Sequence, residues 1–308
     1  MFSGCVVYNN KMWIIAGGAE CTLIGGVKSD VWSSSNGVTW TQATAAAGFG
    51  DRWGMGAVVF NNKMWVIGGL SPSGFKNDVW SSTNGSAWTE ALAAAPFSAR
   101  ENFGCVVYNN LIWVIGGDNT GGVGNSAGVS CALSDVWNSP DGVNWTLAGQ
   151  FPTPRAGASC VVFNGALWVI AGGNTYPDPA AGSGAYSLDP LNDVWTSTDG
   201  ANWSEATADT GFGGRSYAAA GVFNNQIWIV GGAESSYVET IPYATNYDDL
   251  WVSGDGTHWT QTSATLPFPE RFAAESCVYN NSFWVVGGCA QIATPYTCNY
   301  YSDVWHNP

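Results

Sequence analysis

The pattern of apolar and polar positions is clearest between Val58 and Trp88, VVFNNKMWVIGGLSPSGFKNDVWSSTNGSAW. Two apolar runs meet at Asn61-Asn62, residue types that tolerate the positive φ of a two-residue hairpin turn. The second run, Met64-Trp65-Val66-Ile67, is apolar without alternation, as expected of a strand covered on both faces, and stops at Gly68-Gly69. Asp78-Val79-Trp80 opens a third strand, and Asn84-Gly85 turns it into a fourth that carries Trp88. The spacing therefore predicts a four-stranded antiparallel sheet of about 50 residues, the size of one propeller blade.

The unit recurs along the whole chain. Apolar runs ending in small residues lie at Trp13 to Gly18, Trp65 to Gly69, Trp113 to Gly117, Trp168 to Gly173, Trp228 to Gly232 and Trp284 to Gly288. The Asp-apolar-Trp step begins at Asp30, Asp78, Asp135, Asp193, Asp249 and Asp303, and an Asn-Gly or Asp-Gly turn precedes Trp40, Trp88, Trp145, Trp203 and Trp259. Of 18 tryptophans, only Trp53 stands off these positions. A buried aromatic removes roughly 150–250 Å² from water, so the periodic tryptophans are read as packing between blades. The 308 residues form one domain, with blades at about 1–45, 46–95, 96–150, 151–208, 209–264 and 265–308.

With those six registered copies, the chain resembles the Kelch-repeat and galactose-oxidase-type propellers. Trp stands where many Kelch repeats have Tyr, and Ser197-Thr198-Asp199-Gly200 to Trp203 is similar to a shortened Asp-box. The resemblance implies an all-β, six-bladed propeller of four-stranded antiparallel blades, with strands a to d running outward from the axis. The chain stops soon after the third-strand Trp305, so blade six is expected to lack its outer strand. Its exposed edge offers a route to self-assembly.

Strand alternation places a–b and c–d turns on one face and b–c and d–a connections on the other. The second face then carries every long connection: 118–134, 174–192, 233–248 and 289–302. Long loops on a rigid scaffold are where binding residues concentrate. Tyr176, Tyr186, Tyr237, Tyr243, Tyr247, Tyr296, Tyr300 and Tyr301 fall in the loops of blades four to six, among Ser, Gly and Asn, a composition suited either to recognition or to packing of the loops themselves.

All five arginines, Arg52, Arg100, Arg155, Arg215 and Arg271, precede an inner strand at one repeat position. Two readings stand: each satisfies loop carbonyls or the repeat Asp, or together they ring the channel mouth. The resemblance implies the second, since Kelch propellers can bind acidic peptide motifs with arginines there. Trp53, Phe103, Tyr217 and Phe272 lie one to three residues beyond an arginine, and aromatic rings beside cations suit sugar faces or peptide side chains. The candidate ligand contacts are therefore these five arginines, these four aromatic residues and Tyr243.

Cys5, Cys105 and Cys160 share an inner-strand position that is Ala57 and Ala220 elsewhere, so buried free thiols are expected. Cys289 and Cys298 share a loop and are close enough in sequence to pair. No Cys-x-x-Cys or His-x-x-x-His spacing exists, so neither a metal nor a cofactor is expected. Sequons at Asn84, Asn144, Asn202 and Asn280, a disulfide that the loop of Cys289 and Cys298 could hold, and scarce lysine favour an extracellular address, with the cytoplasm as the alternative. Met1 leads straight into the first strand without a leader-like run, which reads as a processed or truncated chain.

Net charge is −14, with only nine Lys plus Arg, so nucleic acid and anionic membrane surfaces are poor partners. No run reaches membrane-spanning length. A copper radical oxidase needs two His and two Tyr on the axis, whereas the only histidines, His258 and His306, cannot converge there. Paired carboxylates for glycoside hydrolysis stay open, with Glu101, Asp118, Glu234, Glu270 and Glu275 toward the variable face. The reading is a non-catalytic module that binds protein or glycan through its variable loops. The alternatives are a structural subunit of an extracellular assembly and a glycan-active enzyme.

Overall fold

A computed structural model describes residues 2–18, 26–119, 132–177, 186–234, 245–263, 265–293 and 297–307. The fold is an all-β, six-bladed propeller. Five blades have four antiparallel strands: Gly4–Tyr8, Lys11–Gly18, Val27–Ser34 and Thr41–Thr44 form the first, and Gly56–Phe60, Lys63–Ser71, Gly74–Ser82 and Thr89–Leu92 the second. The third, fourth and fifth begin at inner strands Gly104–Tyr108, Ser159–Phe163 and Ala219–Phe223. Blade six has three strands among the described residues, Glu275–Tyr279, Ser282–Val286 and Val304–His306. Inner strands of successive blades touch, and Gly4–Tyr8 also meets Glu275–Tyr279, which closes the ring.

Local rules explain the blade. Each a–b turn is an Asn-Asn or Asn-Gly pair with both residues at positive φ, as at Asn61 (47°) and Asn62 (55°), the geometry whose twist matches a tight hairpin. Each c–d turn is built by side chains. In blade four, Ser197 Oγ accepts from the Gly200 N–H, and Asp199 Oδ1 accepts from the Ala201 and Asn202 N–H groups. These bonds hold the Asp199 carboxyl well below its usual range. In all five c–d pairs a β-bulge falls just before the third-strand Trp.

The second-strand tryptophans join the blades. Trp13, Trp65, Trp113, Trp168 and Trp284 are buried. Each donates its indole N–H to the carbonyl five residues earlier, on its own blade. Each ring lies under the turn glycine of the following blade; a Cβ on Gly200, for example, would stand 2.1 Å from the Trp113 ring. No rotamer change elsewhere relieves such a clash, so glycine there is a condition of blade packing.

The irregular connections are more regular than the spacing predicts. In blades one and two, strands b and c run on as continuous ribbons, with Leu70 opposite Phe75, a stretch expected to be loop. In blades four and six the b–c connections contain separate hairpins, Gly173–Pro177 with Tyr186–Pro190 and Cys289–Ala293 with Thr297–Tyr300.

Candidate functional site

The b–c and d–a connections share one face. Each residue following a repeat arginine pairs by a β-bridge with the start of the same blade's b–c connection: Trp53 with Leu70, Glu101 with Asp118, Ala156 with Gly173, Ser216 with Ala233 and Phe272 with Cys289.

Just beyond these bridges, every blade sends one left-handed residue to the axis: Phe2 (φ 48°), Gly54 (59°), Asn102 (55°), Gly157 (63°), Tyr217 (57°) and Ala273 (51°). Their main chains link head to tail. The Gly54 N–H donates to Phe2 O, Asn102 to Gly54, Gly157 to Asn102, Tyr217 to Gly157 and Ala273 to Tyr217, all at 2.8–3.0 Å. A backbone belt thus girdles the axis, and it explains why Tyr217 and Ala273 sit where L-residues rarely do. The sequence signal was faint, because only Gly54 and Gly157 reveal the conformation.

The belt borders an axial cavity of about 300 Å³. Phe2, Asn102, Phe103, Tyr217, Ser159 and Glu275 are among its lining residues. Phe2 and Tyr217 meet edge to face at 5.0 Å, and Tyr217 lies 6.5 Å from Phe272. Of the residues expected to contact a ligand, Phe103 and Tyr217 line this cavity. Phe272 is buried at the b–c hairpin beside Cys289. Trp53 lies farther out, half-buried, and donates its indole N–H to Glu101 at 2.7 Å. Tyr243 is outside the described residues.

The arginines require a correction. All five are at most 2% exposed. Arg215 is typical. Nη1 donates to Gly231 O at 2.9 Å and Asp249 Oδ1 at 2.6 Å, and Nη2 to Asp249 Oδ2 at 3.0 Å. The same carboxylate accepts from Trp251 Nε1. Arg52, Arg100, Arg155 and Arg271 repeat the fork on Asp78, Asp135, Asp193 and Asp303. Each guanidinium also lies over the ring of the Phe three or four residues before it, at 4.5–5.4 Å. A guanidinium this buried, and forked onto its own carboxylate, does not present itself to a ligand at the surface. Instead of ringing the channel mouth, the arginines brace each d–a linker against its own third strand.

The cysteines require another. Cys289 is a thiol and not half of a disulfide, whereas Cys298 is disulfide-bonded to another residue. The hairpin register sets Cys289 opposite Tyr300 and Cys298 opposite Gln291, a diagonal whose Cα separation of about 7–8 Å exceeds the reach of a disulfide. Cys5, Cys105 and Cys160 are free, as expected, and burial pushes the Cys160 thiol up to about 12. Among the described residues, no cluster of three or more His, Cys, Asp or Glu is placed to hold a metal, and no helix is long and apolar enough to cross a membrane.

Glu275 is the carboxylate that reaches the cavity. It occupies the inner-strand position held by Gly4, Gly56, Gly104, Ser159 and Ala219 in the other blades. Those residues are small because neighbouring blades converge there: a Cβ on Gly104 would lie 2.1 Å from Cys160 Sγ. Burial pushes the Glu275 carboxyl up to about 8, from an ordinary 4.5. A carboxyl raised in the folded state stabilises fully below its unfolded value and loses that contribution as pH rises through 8. The wild-type melting temperature should therefore fall between pH 5 and 9 more steeply than that of Glu275→Gln. Parallel curves in thermal scans at those pH values would contradict this.

No family model matches the chain. Over 145 residues it is 29% identical to alpha-scruin of Limulus polyphemus, and over 150 residues 29% identical to beta-scruin of the same animal. Each match covers 44% of this chain and only 14% of the scruin. The solved structure titled "Structure of YjhT" superposes with a TM-score of 0.72 at 16% identity, covering 100% of this chain and 97% of that one, a likeness of fold. The chain is a six-bladed β-propeller, similar over part of its length to the scruins.

Proposed function

We propose that this propeller is a non-catalytic module that recognises a protein partner over the belt-ringed mouth of its axial cavity. The observation that carries this reading is the rigid presentation of Phe2, Asn102, Phe103 and Tyr217 at one aperture. The braced arginines fix the linkers, so an incoming chain meets pre-organised aromatic surface and loses little entropy in ordering it. The described starts of the b–c connections share that face, and the variation in sequence among these connections is the proposed source of specificity. Glycan recognition is the second reading, favoured by aromatic rings whose faces suit sugars. The disulfide at Cys298 supports an oxidising, extracellular setting.

Peptide and glycan arrays probed with the purified chain test the proposal. Tyr217→Ala should weaken the best peptide signal at least tenfold, because a central aromatic anchor is the type of residue on which binding depends most. Trp53→Ala, farther from the aperture, should reduce it less. Retained peptide binding in a folded Tyr217→Ala variant, or signal confined to glycans, would overturn the protein reading.

A further inference from the structure

Among the described residues, the side chains lining the axial cavity include one carboxyl, that of Glu275, and no Lys, Arg or His. Glu275 breaks the period of the inner strands, which elsewhere carry glycine, serine or alanine at this position. It is half-buried, and no hydrogen bond or ion pair to its carboxyl is found among the described residues. The neighbouring inner strands bring no cation to it. Gly4–Tyr8 carries only Cys5 and Tyr8 as ionisable groups, and Ala219–Phe223 carries none. A carboxylate enclosed without a partner is costly, and an arriving cation relieves that cost.

The rest of the wall accepts hydrogen bonds more readily than it donates them. Ser159 Oγ donates its proton to Ala218 O at 2.9 Å, and Ser276 Oγ donates its proton to Ala220 O at 2.7 Å. Both serines line the cavity with their protons committed, so their oxygens are left as acceptors. The complement of a carboxylate among acceptor oxygens is a group with several donors and no acceptor, which describes an ammonium. The volume of about 300 Å³ equals on the order of ten waters at about 30 Å³ each, enough for a four-carbon stem. The edge-to-face pair of Phe2 and Tyr217 gives such a stem an apolar wall. The net charge of −14 adds a long-range field of the same sense.

We infer that the axial cavity is a primary-ammonium site, filled by a lysine side chain of the protein partner that reaches Glu275. This rests on recognition of a protein at the belt-ringed mouth and names the group the partner inserts there. Glu275 supplies the charge, Ser159 and Ser276 the further acceptors, and the aromatic pair the contact with the methylenes.

The probes are the capped tripeptide Gly-Lys-Gly, its norleucine counterpart and n-butylamine, each titrated into the 308-residue chain by saturation-transfer NMR. Titrations at about pH 8.5 keep Glu275 ionised, since burial raises its carboxyl to about 8, and keep lysine, at about 10.4, protonated. The lysine peptide should bind saturably and about tenfold or more tighter than the norleucine peptide, the worth of a charge-assisted hydrogen bond. In Glu275→Gln, shown folded by circular dichroism, that difference between the two peptides should vanish. Equal affinity of the two peptides for the wild-type chain would overturn the inference, as would a difference that survives in Glu275→Gln. n-Butylamine binding as tightly as the lysine peptide would overturn the assignment to a partner's lysine in favour of a free amine. Array peptides that bind without lysine and indifferently to Glu275→Gln would sink this inference and leave protein recognition standing. Amine binding with no peptide bound at all would instead sink protein recognition.

Discussion

Asp249→Asn should lower the unfolding free energy by about 3–5 kcal/mol, the cost of leaving a buried charge without its partner. Arg215 is 1% exposed and Asp249 10% at the side chain, the least exposed of the five pairs. The substitution keeps the shape of the site and removes the negative charge, so the guanidinium stays desolvated without its counter-ion. Urea denaturation followed by tryptophan fluorescence measures this as a lower midpoint at unchanged slope. The double variant Arg215→Met with Asp249→Leu should recover most of the loss, because apolar replacement removes the desolvation penalty along with the attraction. The matched control is Asp30→Asn, at a position that pairs with no cation among the described residues and should cost far less. Equal losses at Asp249 and Asp30 would refute the bracing role assigned to the arginines.

Trp113→Ala should cost a similar amount, about 3–5 kcal/mol, as other buried large-to-small changes do. The ring is 3% exposed, fills the space beneath Gly200 and donates to Tyr108 O at 3.0 Å. Trp113→Phe keeps most of the apolar volume and gives up the hydrogen bond, for about 1 kcal/mol. Trp228→Phe should be nearly neutral, since its indole N–H has no partner. The same denaturation series decides the matter: if the Phe variants at 113 and 228 lose equal stability, the worth assigned to the Trp113 hydrogen bond fails.

The two corrections share a cause. Arg100 and Asp135 lie far apart in sequence, and their spacing alone allowed either a bracing pair or a ring of cations around the channel. Burial decides between them. Arg100 is 0% exposed and held by Gly116 O and both oxygens of Asp135. Cys289 and Cys298 share a short loop, which allows a pair, yet a one-dimensional separation cannot reveal a strand register, and the register of that hairpin holds them on a diagonal.

The axial aperture was legible only in part. Phe103 and Tyr217 were recognisable as aromatic residues beside the inner strands, and both line the cavity. The belt of left-handed residues was not, since Asn102, Tyr217 and Ala273 do not announce positive φ as Gly54 and Gly157 do. Glu275 could have been found by aligning the six inner strands, where it replaces glycine, serine or alanine. Its raised proton affinity comes from enclosure by neighbouring blades, which no alignment of one chain against itself expresses.

By itself the sequence determined the blade count, the strand pattern within a blade, the turn chemistry and the tryptophan ladder. These rest on local rules, the φ preferences of Asn and Gly and the alternation of covered and exposed positions, repeated often enough to be unmistakable. Tertiary structure alone decided which charges are buried and which backbone groups meet at the axis. Those features arise between residues of different blades, where distance, dielectric and register are set by closure of the ring and leave no periodic trace in the chain.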